Sequence, residues 1–275
     1  MGPVGVEFLK GHGTENDFVV LPDVDNELDL TEGRVRALCD RQRGLGADGV
    51  LRVVRLDLGP WFMDYRNADG SIAEMCGNGV RVFARYLVSA GLAPEGEFEI
   101  ATRAGKRAVT AHPDGSVTVG MGPVRLTGES TAVLGGVEFA GVGVDVGNPH
   151  LACVTDVPVA GLDLRDAPSH DAALFPAGVN VEFVNVLADG GMNGAGELRM
   201  RVHERGVGET RSCGTGTVAA VASWLRGTGR ATGAADVLVP GGRVRVTVDE
   251  GGSTLTGPAV LLARGELDRS WWDAL

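Results

Sequence analysis

Apolar and polar residues alternate along much of the chain in short runs. GVEFLKGHG, SVTVGMGPV, GELRMRVH and GRVRVTVDE read as half-buried strands, in which successive side chains face opposite sides. Turns such as PDGS at 113–116 and DEGG at 249–252 separate such runs. Three segments change to helical spacing. In TEGRVRALCDRQR, Val35, Leu38 and Cys39 share a face and Thr31 can cap the first turn. NGVRVFARYLVSAG repeats Val80, Phe83, Ala84 and Leu87, then stops at Gly91. GTVAAVASWLRGTG repeats Val218, Val221, Ala222 and Leu225, then meets Gly227 and Gly229. The closing LARGELDRSWWDAL carries Trp271 and Trp272, expected to dock on the protein's own surface.

The second and third helical segments share a context. Each follows a strand-rich region and is preceded by Cys-Gly-(Asn/Thr)-Gly. The economical reading is a duplicated mixed α/β unit with its seam near residues 115–130.

Composition narrows the classes. A chain of 275 residues with 44% hydrophobic content can bury a core in one large domain or two smaller ones. Its 43 glycines follow no three-residue period, which excludes collagen. No apolar run approaches the ~20 residues that span a bilayer. The opening MGPVGVEFLKGHG has no basic stretch followed by an apolar segment, so the expectation is a cytoplasmic protein with no membrane partner. A formal charge of −11 argues against a nucleic-acid partner. The five histidines form no HxxxH or HxH pair, so no metal is expected. No GxGxxG opens a helix, and no GxxxxGK[ST] is present. GLGADG at 44–49 has the glycines without a following helix.

Four cysteines with no CxxC pair are expected to stay reduced. Cys39 and Cys153 read as small apolar filling. Cys76 and Cys213 differ, because each enters a glycine-rich helix start. Such a start leaves N–H groups that can hold a carboxylate, and it favours a thiolate. Two such cysteines could invert a carbon stereocentre, one removing a proton as base and the other returning one as acid. Converging N–H groups would then stabilise charge developing on the adjacent carboxylate. Buried filling or a disulfide between the two are the plainer readings of the same residues.

Several segments together resemble the diaminopimelate epimerases, a pyridoxal-phosphate-independent family. They are HGTENDF at 12–18, GLGADG at 44–49, RNADGSIAEMCGNGVR at 66–81, GNPH at 147–150, VNVEFV at 179–184 and HERGVGETRSCGTG at 203–216. The resemblance implies an α+β (mixed α/β) fold. It has two pseudo-symmetric lobes, each a curved, largely antiparallel sheet or barrel wrapped around a central helix, with the active site between lobes. The expected divisions are 1–120 with Cys76, 121–262 with Cys213, and a tail at 263–275 packing back on the N-terminal lobe. The implied activity is cofactor-independent epimerisation of LL-2,6-diaminopimelate to the meso form, in lysine and peptidoglycan precursor synthesis. A homodimer is compatible with the resemblance.

The resemblance also implies roles for residues. Cys76 and Cys213 would be the acid/base pair. Gly77, Asn78, Gly214 and Thr215 would supply donors around the reacting carboxylate and amino group, with Asn16 and Asn148 as further contacts. Asn67, Asn180 and Arg205 would hold the distal end of the substrate. Glu204 would lie beside the reacting amino group, with His150 supporting it. Taken singly, Asn67 reads as an Asx-turn in NADG and Asn180 as a strand-end cap. A proline racemase-like activity would leave the distal set without a carboxylate to bind, and a silent binding protein would not need two cysteines. Two positions depart from the family pattern: Glu15 stands where glycine is common, and Gly49 where some members have glutamine.

Overall fold

The computed structural model describes residues 5–56, 59–191 and 194–275. They group into two compact units, Met1–Val119 with Pro258–Leu275, and Gly120–Gly257. The first unit contains strands β1 (Val6–Gly13), β2 (Asn16–Pro22), β3 (Gly49–Arg55), β4 (Trp61–Asn67), β5 (Gly96–Thr102), β6 (Gly105–Ala111), β7 (Ser116–Gly122) and the last strand, β17 (Val260–Leu267). β7 runs across the boundary between the units. Around this unit the order is β17, β1, β2, β3, β4, β5, β6, β7. Its successive pairings are antiparallel, antiparallel, parallel, antiparallel, parallel, antiparallel and antiparallel.

The second unit contains β8 (Arg125–Leu134), β9 (Val137–Asp145), β10 (Pro149–Val154), β11 (Asn180–Ala188), β12 (Gly196–Glu204), β13 (Gly208–Thr210), β14 (Gly233–Val239), β15 (Gly242–Asp249) and β16 (Gly252–Pro258). The order β8, β9, β10, β11, β12, β14, β15, β16 shows the same succession of antiparallel and parallel pairings. The short β13 is an addition on β12. The two units therefore share one topology. In the first, the chain's final strand β17 takes the place that β8 holds in the second.

Each unit holds a long buried helix. α2 (Gly77–Ser89) packs against β1, β2, β3, β4, β6 and β17, and α3 (Gly214–Gly227) against β9, β10, β11, β12, β14 and β15. Their burial extends around the helix, as expected for a helix enclosed by sheet. Both helices begin at the glycine after the cysteine and stop near a glycine with positive φ, Gly91 at 69° and Gly229 at 72°. The shorter α1 (Glu32–Cys39) is capped by Thr31, whose side chain accepts the Arg34 N–H, and buries Val35, Leu38 and Cys39.

The C-terminal return to the first unit begins at Pro258, before the 262/263 boundary read from sequence. The reason is the β17 ladder along β1, from Val6 opposite Leu267 to His12 opposite Val260. After it, α4 (Arg269–Asp273) buries Trp272 to 2% exposure among Val6, Val35 and Leu38. The Arg34 guanidinium lies 4.8 Å from the Trp272 ring centroid, a cation–π contact. Trp271 packs on the same cluster. No helix among the described residues is long and apolar enough to cross a membrane.

The hairpin joining β1 to β2 is strained. Gly13 pairs with Asn16, so Thr14 and Glu15 form a two-residue loop with φ of 51° and 62°. That is the φ signature of a type I′ turn, which favours Asn-Gly. A β-branched threonine in this region is unusual. Glu15→Gly is expected to raise stability by up to about 1 kcal/mol, the order of the penalty for an L-residue in the left-handed region. The urea unfolding midpoint measures this, and an unchanged or lower midpoint would contradict it.

Candidate active site

Cys76 is the N-cap of α2, and its Sγ accepts the Gly79 N–H at 3.4 Å. Cys213 is the N-cap of α3 and accepts the Gly216 N–H at the same 3.4 Å. Both cysteines are extended in backbone, so each sulfur turns back over the first helical turn. The N–H groups of Gly77, Asn78, Gly214 and Thr215 sit in those first turns, where no carbonyl four residues earlier in a helix can take them.

The surroundings of Cys76 are tied to the strained hairpin. Cys76 Sγ donates to Asn16 Oδ1 at 3.6 Å, and Asn78 Nδ2 donates to the same oxygen at 3.2 Å. Asn16 Nδ2 donates to Asp48 Oδ2 at 2.7 Å. Arg41 holds Asp48 and Asp17 at 2.8 Å each, and Lys10 pairs with Asp17 at 2.5 Å. These two cations hold the Asp17 carboxyl down at about 2, against the upward push of its burial. Behind Asn78 lies Arg81, fully buried, whose Nη2 donates to Asn78 Oδ1 at 2.9 Å and Thr14 Oγ1 at 3.0 Å. Asn67, half-buried at the end of β4, donates through Nδ2 to Ser71 Oγ at 2.9 Å.

Cys213 is buried and has a different setting. Thr215 Oγ1 lies 3.5 Å from its sulfur. Burial pushes the Cys213 thiol well above its ordinary value, and the Glu204 and Glu182 carboxyls push the same way. His150 and Glu182 are both fully buried and bonded, Nδ1 to Oε1 at 2.7 Å. The His150 Nε2 lies 3.0 Å from Asn148 Oδ1, so the imidazole orients that amide. Burial pushes the Glu182 carboxyl up to about 7, although His150 pulls it down. Glu204 accepts a hydrogen bond from the Thr210 hydroxyl. Asn180 Oδ1 accepts the Arg205 N–H at 2.9 Å, while Asn180 Nδ2 donates to Pro149 O at 3.2 Å. The Arg205 side chain is exposed and donates through Nη1 to Ala177 O at 2.8 Å.

Thus Cys76, Asn16 and Asn78 come together in the first unit. Asn148 and His150 are joined in the second, as are Asn180 and Arg205. Asn67 bonds within its own turn. Arg81, Glu182 and Asp48 were missed by the sequence reading. Their signal is a charged residue inside an apolar period, as Glu182 is between Val181 and Phe183. Cys39 and Cys153 are buried, and burial pushes both thiols up to about 12. Gly49 has no room for a side chain, because a Cβ there would lie 2.6 Å from Arg66 O. Among the described residues, no group of three or more His, Cys, Asp or Glu is placed to hold a metal.

A family model described as diaminopimelate epimerase matches residues 8–127 and 142–262. The chain is 54% identical to the diaminopimelate epimerase of Rhodococcus erythropolis over 294 aligned positions, covering 98% of this chain and 99% of that one. It is 55% identical to that of Mycolicibacterium smegmatis, again covering 98% and 99%. Among solved structures, a predicted epimerase from Pseudomonas aeruginosa superposes with a TM-score of 0.68 at 15% identity, covering 95% of this chain and 99% of that one. That last likeness concerns fold.

Two expectations follow from the geometry. A Cβ at Gly216 would lie 2.7 Å from Glu182 Oε1, whereas one at Gly79 would meet a Leu51 methyl at the longer distance of 3.2 Å. Gly216→Ala should therefore lower turnover more than Gly79→Ala, and equal losses in steady-state assays would contradict this. Glu182 also couples stability to pH. Its folded value lies above its unfolded one, so the folded state binds more protons between the two. Its contribution is full below the unfolded value, about 4.3, and declines as pH rises toward about 7. Glu182→Gln should flatten that decline in melting temperature, and an unaltered pH profile would contradict it.

Proposed function

The chain belongs to the diaminopimelate epimerase family and is an isomerase; on that premise we propose that it interconverts LL- and meso-2,6-diaminopimelate through Cys76 and Cys213. The observation that carries this reading is the repeated helix cap. Two topologically equivalent helices each begin with a cysteine whose sulfur accepts the N–H of a glycine three residues on. One sulfur takes the α-proton and the other returns a proton from the opposite face. The electron pair left on the α-carbon spreads into the substrate carboxylate. First-turn N–H groups of Gly77, Asn78, Gly214 and Thr215 are suited to stabilise that charge.

The distal end falls to Asn67, Asn180 and Arg205. The Asn180 side chain fixes the Arg205 backbone, and the exposed guanidinium can grip a carboxylate through two N–H groups. Asn16, Asn148 and Glu204 are assigned to the reacting amino acid head, with His150 holding Asn148. A racemase of proline would have no use for the distal group. The chemistry needs only protons and thiols, so no cofactor or metal is invoked. It suits the reducing cytoplasm, where cysteines stay as thiols. A homodimer working on a free amino acid, with no nucleic-acid partner, fits the same reading.

Cys76→Ala and Cys213→Ala should each lower epimerisation by at least ~10²-fold, the low end of what a positioned acid or base supplies. Substrate chirality over time, with deuterium incorporation at the α-carbon in heavy water, measures it. Wild-type inversion by either variant would overturn the two-cysteine reading. Exchange on proline but not on diaminopimelate would overturn the substrate.

A further inference from the structure

The shared topology allows position-by-position comparison of the strands behind the two helix starts. In the first unit Phe18 faces Gly49 and Val20 faces Leu51 across β2 and β3. In the second, His150 faces Asn180 and Ala152 faces Glu182 across β10 and β11. Phe18 thus corresponds to His150, and Leu51 to Glu182. The helix glycines agree: a Cβ at Gly79 would meet Leu51 and Phe18, and one at Gly216 would meet Glu182. The first unit fills these two places with side chains that have no polar atom to satisfy. The second puts an imidazole and a carboxyl there, both fully buried. Packing does not demand them, because the same skeleton closes over Phe18 and Leu51. Burying a titratable pair costs free energy that an apolar pair does not. The exchange calls for a reason other than stability.

Resting on the assignment of Asn148 to the reacting head of the substrate, we propose that Glu182 is a positioning residue: a proton shared with His150 fixes the imidazole so that it holds the Asn148 side chain with its NH2 group turned to the substrate carboxylate. Each contact carries a direction. Asn148 Oδ1 lies 3.0 Å from His150 Nε2. An amide oxygen only accepts, so Nε2 carries hydrogen. On the other side of the ring, Nδ1 lies 2.7 Å from Glu182 Oε1. A bare ring nitrogen and a bare carboxylate oxygen would repel at that distance, so a proton lies between them. Whether it rests on nitrogen or on oxygen, Nε2 keeps its own hydrogen. With its oxygen engaged by the ring, Asn148 directs Nδ2 away from it, and among the described residues Nδ2 has no hydrogen-bond partner. A carboxylate accepts hydrogen bonds and cannot donate them, so this is the face of the amide that suits it. Turned over, the amide would present its oxygen and repel the same group.

The surroundings favour a carboxyl that shares a proton. Glu182 Oε2 is buried with no hydrogen-bond partner. A full carboxylate would leave charge on that bare oxygen, whereas a carboxyl bonded to His150 leaves only a weak acceptor there. Burial pushes the Glu182 carboxyl up to about 7 and the Glu204 carboxyl on β12 pushes the same way, against the pull of His150. Gly216 keeps the start of α3 clear for it, since a Cβ there would lie 2.7 Å from Oε1. The neighbouring polar groups are engaged elsewhere. Glu204 accepts the Thr210 hydroxyl, and Asn180 is taken up by the Arg205 N–H and Pro149 O. Among the described residues, the two ring nitrogens of His150 meet only Glu182 and Asn148.

The test is a cycle of variants at the two buried positions, with the residues of the first unit as replacements. Glu182→Leu and His150→Phe should each lower kcat/KM for diaminopimelate about tenfold or more, the order of one lost hydrogen bond to a charged group. The double variant repeats the apolar pairing of Phe18 and Leu51, so packing is restored while the hold on Asn148 is absent. Its kcat/KM should match that of the worse single variant, because Glu182 acts through His150. In the wild-type protein near neutral pH, the nitrogen-15 shifts of the His150 ring should show hydrogen on Nε2. The signal lost in His150→Phe identifies that ring, and circular dichroism establishes that the variants compared are folded. Wild-type kcat/KM in a folded Glu182→Leu protein, or its recovery in the double variant, overturns the positioning role. Losses that multiply in the double variant, or a bare Nε2 in the wild type, overturn it as well. Wild-type turnover by Asn148→Ala would instead overturn the assignment of that residue on which the proposal stands.

Discussion

The sulfur at the N-cap is the constraint from which the rest of each unit follows. An N-cap is usually an oxygen-bearing side chain that answers a helix N–H. Here a cysteine fills that position twice, with the glycine N–H three residues on as donor. The cap fixes the sulfur at the mouth of a buried helix and directs first-turn N–H groups toward the same place. A buried helix needs sheet around it, which both ladders supply. The third residue after each cysteine must be small, because a strand side chain lies against it: Leu51 in one unit, Glu182 in the other. The Cys-Gly-X-Gly pattern is therefore a packing requirement of the capped helix as much as a feature of its chemistry.

Duplication explains the likeness of the units, and divergence explains how they can differ in use. The parallel steps β2–β3 and β10–β11 place matched positions behind the two sulfurs. Apolar Phe18 and Leu51 have polar counterparts in His150 and Glu182, and Arg81 has an apolar counterpart in Val218. Two identical thiols would share one proton equally. A proton-transfer pair gains from unequal settings, because one member must start charged and the other neutral.

Much of this was legible in the residues. The periodicity of Val80, Phe83, Ala84 and Leu87, and of Val218, Val221, Ala222 and Leu225, located both central helices, and Thr31 located the cap of α1. The paired cysteine motifs located both sulfurs at helix starts. The role of β17 was less visible. Its LLARGEL segment is mostly exposed and carries little alternation, so its ladder depends on β1, at the other end of the chain. The supporting charges were hidden for a related reason. Glu182 interrupts an apolar strand, and its partner His150 lies 32 residues earlier, so only the parallel pairing reveals the contact. Gly49 reads as a departure from family pattern until the Arg66 carbonyl is seen against it.

The distribution of unfavourable features points the same way. Thr14 with φ of 51°, the buried Arg81 and the buried Glu182 each work against folding, through backbone strain or through burial of charge. All three gather around the capped helix starts. The apolar clusters built around Trp272, Leu38 and Val35 in one unit and Phe139, Phe183 and Leu151 in the other carry no such burden. Removing the strain at Thr14 would release the hydroxyl that holds Arg81, and replacing Arg81 by an apolar residue would free the Asn78 amide that shares Asn16 with the Cys76 sulfur. Thr14 is bonded to Arg81, and those contacts run on through Asn78 and Asn16 to the Cys76 sulfur, while Glu182 is bonded to His150, which holds Asn148. A fold selected for stability alone would have no reason to concentrate its penalties there; the proposed two-cysteine chemistry, which needs two unequal sulfurs, supplies one.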